Sequence, residues 1–183
     1  MPKTKKKKTI PELKINDIVL KQRELFLFSS VNDKSILQLT KELLVLDSIN
    51  HKPIKLWINS PGGSTMSGLA FINIMKRVKS KVITIINIEA CSMGSQISVA
   101  GDERWMVKNG WWMAHDMSGG IGGDYSAKVE YRAKWIAKHF ITLENNYKKY
   151  TNLNKKDLEI ARHGELWLTA EECLAKGIID KII

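Results

Sequence analysis

Three residue types at fixed intervals give this chain the means for acyl-transfer chemistry. Ser92 stands in Ala90-Cys91-Ser92-Met93-Gly94-Ser95, after a β-branched apolar run from Val82 to Ile88 and before Gln96-Ile97-Ser98-Val99-Ala100, which reads as a buried helix. A serine at such a strand-to-helix turn has open backbone amides and the positive end of a helix beside its hydroxyl, surroundings that favour negative charge. A tetrahedral oxyanion needs donors of this kind, and loss of one typically costs roughly a hundred- to a thousandfold in rate. Asn59-Ser60-Pro61-Gly62-Gly63-Ser64 has the same grammar: the strand-like Ile54 to Ile58 precedes it, Pro-Gly-Gly turns sharply, and a helix begins near Ser64 or Met66. Paired glycines permit φ > 0 and let amides approach a ligand without side-chain obstruction. His115, in Met113-Ala114-His115-Asp116, supplies a candidate general base. Singly, these features read as an N-cap, an ordinary turn and a surface histidine. Their order and spacing together favour a nucleophile, its oxyanion donors and its base.

The elements around them must hold these groups in place. Glu24 to Phe28 reads as the first clear strand, with a turn and cap over Ser29 to Asp33. Ser35 to Ile49 reads as an amphipathic helix with Ile36, Leu39, Leu43, Leu44 and Leu46 toward the core. A second helix is expected from Met66 to Val78, with Leu69, Ile72, Met75 and Val78 at helical spacing. Arg104 to Val107 and Trp111 to Ala114 look like short strands around a turn at Asn109-Gly110, the second ending at His115. A long helix over Ser126 to Tyr150 carries an apolar stripe of Val129, Ala133, Ile136, Phe140, Leu143 and Tyr147, whose default reading is core packing. Asn154 to Ile160 predicts another helix, the capping pattern of Thr169 to Glu172 opens the last one, Gly177 stops it, and Ile178 to Ile183 closes the chain as a strand. Recurrent strand, turn and helix predict a single α/β domain with catalytic loops at one side of its sheet.

Composition removes several other classes. A length of 183 residues suits one domain over positions 17–183, preceded by a basic, flexible tail over 1–16. The apolar fraction of 44% agrees with a globular fold, and the chain lacks an apolar run of membrane-spanning length or a secretory signal, so a cytoplasmic location is expected. About half of the formal charge of +10 resides in five lysines among the first eight residues. A solvated tail explains that charge better than nucleic-acid recognition does, since no motif for reading bases or phosphates accompanies it. Cys91 and Cys173 are too far apart for metal-type spacing and read as buried small apolar residues; the other reading of Cys91, beside Ser92, is a reactive thiol. Ser118 to Asp124 is glycine-rich, but no Lys-Ser or Lys-Thr follows in phosphate-loop register, so no cofactor is expected in this chain.

Taken in order, Asn59 to Ser64, Ala90 to Ser95, Met113 to His115 with Gly119-Gly120, and Leu168-Thr169-Ala170-Glu171-Glu172 with Gly177-Ile178-Ile179-Asp180 resemble the ClpP-type serine peptidases. The resemblance runs from about Asp17 to Ile183. It implies a ClpP/crotonase-like fold and a serine endopeptidase acting on peptides or unfolded proteins inside a homo-oligomer of two stacked seven-membered rings, with the glycine-rich segment and long helix joining the rings. By motif match, Ser92 is the nucleophile, His115 the base, and the amides of Gly63 and Met93 the oxyanion donors. The family's aspartate falls on Glu165, one methylene longer, and its preceding arginine on Gly164. The family's docking pocket for an AAA+ unfoldase, which would supply any ATP dependence, falls on Lys55, Trp57, Arg77 and Trp105; Trp57 and Trp105 keep the aromatic character, whereas Lys55 and Arg77 bring cations that are costly to bury unpaired. These departures fit a divergent variant such as a phage or mobile element would encode. Two other readings are a noncatalytic ring subunit of the same family and a crotonase-fold enzyme acting on acyl-CoA thioesters.

Overall fold

The longest strand divides its partners. In the computed structural model, which describes residues 20–117 and 126–183, β3 (Val82–Cys91) pairs along its first half with β4 (Glu103–Met106) and along its second half with β5 (Trp111–His115), both parallel. β4 ends where β5 takes over, so the end of β3 emerges beside β5. On the other edge β3 pairs with β2 (Ile54–Ser60), and β2 with β1 (Glu24–Leu27). β7 (Lys181–Ile182) extends the sheet past β4, and β6 (Glu165–Thr169) pairs antiparallel with β5. The helices are α1 (Asp33–Ile49), α2 (Thr65–Met75), α3 (Met93–Val99), α4 (Ser126–Tyr150), α5 (Lys155–His163) and α6 (Ala170–Ala175). The expected single-domain α/β architecture is present. No helix among the described residues is long and apolar enough to cross a membrane. The basic segment over 1–16 and the glycine-rich Ser118 to Asp124 lie outside the described residues.

Several boundaries differ from the sequence expectations for local reasons. α1 starts at Asp33 because Asn32 and Ser35 form a capping box, with the Asn32 side chain accepting from the Ser35 amide. Its buried stripe is Ile36, Leu39, Leu43 and Leu46, while Leu44, expected in the core, is 46% exposed. At 100° per residue, Leu44 falls outside the stripe that the other four define. α2 ends at Met75, three residues early, leaving Val78 half-buried against the core. β1 stops at Leu27, and Phe28 lies beyond it. α3 already begins at Met93, and the closing strand contracts to two residues because the Ile178 and Ile179 amides donate back to the Cys173 carbonyl of α6. The strands flanking Asn109-Gly110 do not pair with each other. β6 has no counterpart in the sequence expectations, although Glu-Leu-Trp-Leu-Thr alternates as a strand with one face buried. On α4, Phe140, Leu143 and Tyr147 are buried, whereas Ala133 is exposed and Val129 and Ile136 are half-buried. Only the C-terminal half of this helix packs fully into the core.

One polar cluster fastens α1 to the sheet. Asp47 accepts hydrogen bonds from the Ser80 hydroxyl and from the Ser80 and Lys79 amides. Burial opposes its ionisation, but these bonds, with one from His51, bring its carboxyl down to about 2. Ionised Asp47 therefore stabilises the fold above the unfolded-state value near ~3.9, and this contribution fades as pH falls through about 2. Asp47→Asn is expected to remove about 2 kcal/mol of stability at neutral pH. In urea unfolding, the gap between variant and parent should close as pH is lowered from 5 toward 2.

Candidate active site

Ser92 follows β3 directly and has φ 53 and ψ −118, one of two described non-glycine residues at positive φ. Such a conformation costs roughly 1–3 kcal/mol and persists only where the surroundings enforce it. Here the Ser92 amide donates to the Met113 carbonyl of β5 at 2.9 Å. The Ser92 carbonyl accepts from the Ser95 amide at 3.1 Å, the Gln96 amide at 3.3 Å and the Ser95 hydroxyl at 2.6 Å. Both sides of the serine are thereby tied down, and α3 starts at the next residue.

The glycine turn lies directly against it. Gly62 has φ 93 and Gly63 φ 140, a region that side chains disfavour. A Cβ on Gly62 would sit 2.6 Å from the Ser92 Cβ and 2.8 Å from the Met93 nitrogen. Gly63 bridges to Val31: the Val31 amide donates to the Gly62 carbonyl and the Ser64 amide to the Val31 carbonyl, both at 2.7 Å. This pattern uses the groups on either side of the Gly63 N–H and leaves that donor out of the bridge. Gly63, Ser92, Met93 and His115 line one cavity, together with Gln96, Leu143 and Tyr147. Nothing in the spacing of Gln96 or Tyr147 marked them for this place. The one available signal was that a tyrosine closing an apolar stripe needs a partner for its hydroxyl.

Glu165 opens β6 and is the register partner of His115 across the antiparallel β5–β6 pair. Such partners point to the same face with Cβ atoms roughly 4.5–5.5 Å apart. Glu165 is exposed, and its Oε2 accepts from the Trp167 indole N–H at 2.8 Å. Among the described residues, His115 makes no side-chain hydrogen bond to Ser92 or to Glu165. Asp116 also lines the cavity and accepts from the Met117 amide at 2.6 Å, while His163 closes α5.

Cys91 is buried, with its sulfur 3.9 Å from a Glu89 carboxylate oxygen. Burial first, and then the charge of Glu89, push its thiol up to about 12. The thiol is therefore protonated at neutral pH, which opposes the reactive-thiol reading. Iodoacetamide at pH 7.5 is expected to modify Cys91 in the native protein at least a hundredfold more slowly than after unfolding, measured by peptide mass mapping.

Trp57 and Trp105 lie in one row across the sheet, in register with Phe26, Ile85 and Lys181. Both are half-buried; the Trp57 indole N–H has no acceptor among the described residues, and the Lys181 ammonium stands 5.2 Å from the Trp105 ring. Lys55 is not an unpaired cation, because Glu24 on the adjacent strand accepts from it at 3.3 Å. Arg77 is exposed beyond the end of α2.

Comparison with known proteins adds an independent finding. The family model described as Clp protease matches residues 7–183. A Deinococcus radiodurans protein named ATP-dependent Clp protease proteolytic subunit is 34% identical over 168 residues, covering 90% of this chain and 82% of that protein. Proteins of the same name from Streptococcus suis and Streptococcus gordonii are 35% and 34% identical, each over 90% of this chain and 86% of their own length. With a family match across nearly its whole length, a sheet that delivers Ser92 beside β5, and relatives above 30% identity, the chain belongs to the Clp protease family.

Proposed function

We propose that this protein is a serine endopeptidase that cleaves peptides or unfolded proteins inside a ring assembly of its own copies, two stacked seven-membered rings, with an AAA+ unfoldase as the feeding partner. The observation that carries this reading is the strained Ser92 turn, clasped between Gly62 and β5, in a cavity that His115 also lines. Ser92 Oγ attacks the scissile carbonyl while His115 takes its proton. The amides of Gly63 and Met93 hold the oxyanion. Collapse breaks the C–N bond, the proton on His115 goes to the leaving amine, and water, deprotonated by His115 in turn, releases the acyl group from Ser92. Glu165 leaves the Trp167 indole and orients His115 from across the strand pair. Trp57 and Trp105 offer an aromatic surface for an unfoldase loop, with Lys55 already neutralised by Glu24.

The second reading is a noncatalytic ring subunit. It is favoured by one observation, the Glu165 carboxylate held by Trp167 and not by His115. A fluorophosphonate probe separates the two. Stoichiometric labelling that maps to Ser92, accompanied by hydrolysis of a fluorogenic peptide, is expected. An assembled protein that neither labels nor hydrolyses would overturn the peptidase in favour of the subunit.

A further inference from the structure

Beneath the nucleophile turn runs a buried polar chain that the proposed reaction does not use. The Ser92 carbonyl can only accept, so the Ser95 hydroxyl spends its one proton on it, at 2.6 Å. The Ser95 oxygen is also 2.6 Å from the Tyr147 hydroxyl on α4, and with its proton already committed it must accept there. The order is therefore Tyr147 to Ser95 to Ser92. Ser95 is fully buried and Tyr147 is 5% exposed. Burial also holds the Tyr147 phenol above its ordinary range, so it stays a donor. A second tie keeps the same surfaces together: the Gln96 side-chain amide donates to the Leu143 carbonyl at 3.2 Å, and the Asn146 side-chain amide donates to the Gln96 side-chain oxygen at 2.7 Å.

The geometry points to Tyr147 and Ser95 as positioning residues that aim the oxyanion donor. The Ser92 carbonyl and the Met93 N–H belong to one planar trans peptide unit and point in opposite directions. Whatever fixes the carbonyl thus fixes the N–H. Ser92 reaches this orientation only at a disfavoured positive φ, so the plane needs external restraint, and the two hydroxyls provide it. A hydrogen-bond chain polarises along its length, so the Tyr147 bond strengthens the hold of Ser95 on the carbonyl. This inference rests on the serine peptidase reading for its catalytic meaning, but the restraint on the turn is measurable without turnover.

Tyr147→Phe removes only the outer hydroxyl and leaves the Gln96 and Asn146 tie to keep α4 docked; Ser95→Ala removes the inner one. Each is expected to lower kcat about tenfold, near the value of one aligned hydrogen bond, with KM unchanged. The double variant should be no worse than Ser95→Ala, since the two act in series. Affinity for a peptide boronate, which mimics the tetrahedral species, should fall by the same factor as kcat. Parent-like kcat and boronate affinity in both variants would overturn the assignment, as would a loss that merely follows the folded fraction. Hydrogen exchange supplies the arm that does not need an active enzyme. In Tyr147→Phe the Ser95 and Gln96 amides, which bond to the Ser92 carbonyl, should exchange several-fold faster while the β3 amides of Ile83 to Ile86 do not change. Unchanged exchange at the turn overturns the strut even if the parent never labels; a parent that fails to label while the turn loosens as described overturns only the peptidase reading.

Discussion

Ser92→Ala is expected to abolish fluorophosphonate labelling and to lower peptide turnover by about 10⁴-fold or more, with oligomeric state and melting temperature matching the parent's. The hydroxyl is the only group lost, and Ser92 is held by its backbone: the amide on Met113, the carbonyl on Ser95 and Gln96. An alanine at φ 53 adds no atom to that arrangement. His115→Ala should cost a similar factor, and the double variant no more than either, because a nucleophile without its base and a base without its nucleophile are equally idle. Glu165→Ala discriminates further. If the carboxylate turns from Trp167 to its register partner His115, its loss costs about 10²- to 10⁴-fold in kcat with KM little changed. Equal kcat in Glu165→Ala and parent would remove Glu165 from the mechanism while leaving Ser92 and His115 in it. Residual turnover in Ser92→Ala above a tenth of the parent's would remove Ser92 itself.

What could be read from the chain was what local sequence determines. The apolar run of β3 followed by Cys-Ser-Met-Gly marks a strand that must turn, and Asn59 to Ser64 marks a turn that must be tight; both stand where the pattern puts them. Capping residues located the starts of α1 and α6 to within two residues. Properties that depend on neighbours across the fold were not legible. β6 is five residues long, begins after a helix and, among the described residues, pairs only with β5, so its short alternation competes poorly against a loop reading. Its existence decides whether Glu165 faces His115 at all. The Trp167 indole that holds Glu165 lies two residues along the same strand, and no spacing rule distinguishes that contact from solvent exposure. Lys55 looks like an unpaired cation until strand register puts Glu24 beside it. Tyr147 looks like the last member of an apolar stripe until the packing of α4 against α3 brings its hydroxyl to Ser95.

Gly62→Ala should nearly silence the enzyme while leaving every proposed catalytic side chain in place. The added Cβ would fall 2.6 Å from the Ser92 Cβ, 2.7 Å from the Cys91 carbonyl oxygen and 2.8 Å from the Met93 nitrogen. Two of those three neighbours are backbone atoms, so rotamer changes cannot relieve the clash, and the φ of 93 strains any side chain besides. Either the Gly62-Gly63 turn retreats or the Ser92 turn does. Both movements separate the Gly63 amide from the Met93 amide, and a misplacement of about 1 Å at a reacting centre costs roughly a hundredfold. The expected result is a kcat reduced by about a hundredfold or more, slowed fluorophosphonate labelling at Ser92, and stability lowered by about 2 kcal/mol or more. Gly164→Ala is the matched control: its φ is −162, and its Cβ would meet only the Ile160 carbonyl oxygen, at an ordinary 3.6 Å. That variant should assemble, melt and hydrolyse like the parent. Parent-like kcat in Gly62→Ala would mean that the glycine turn does not supply the oxyanion donor, and the Met93 amide would then have to hold the charge alone.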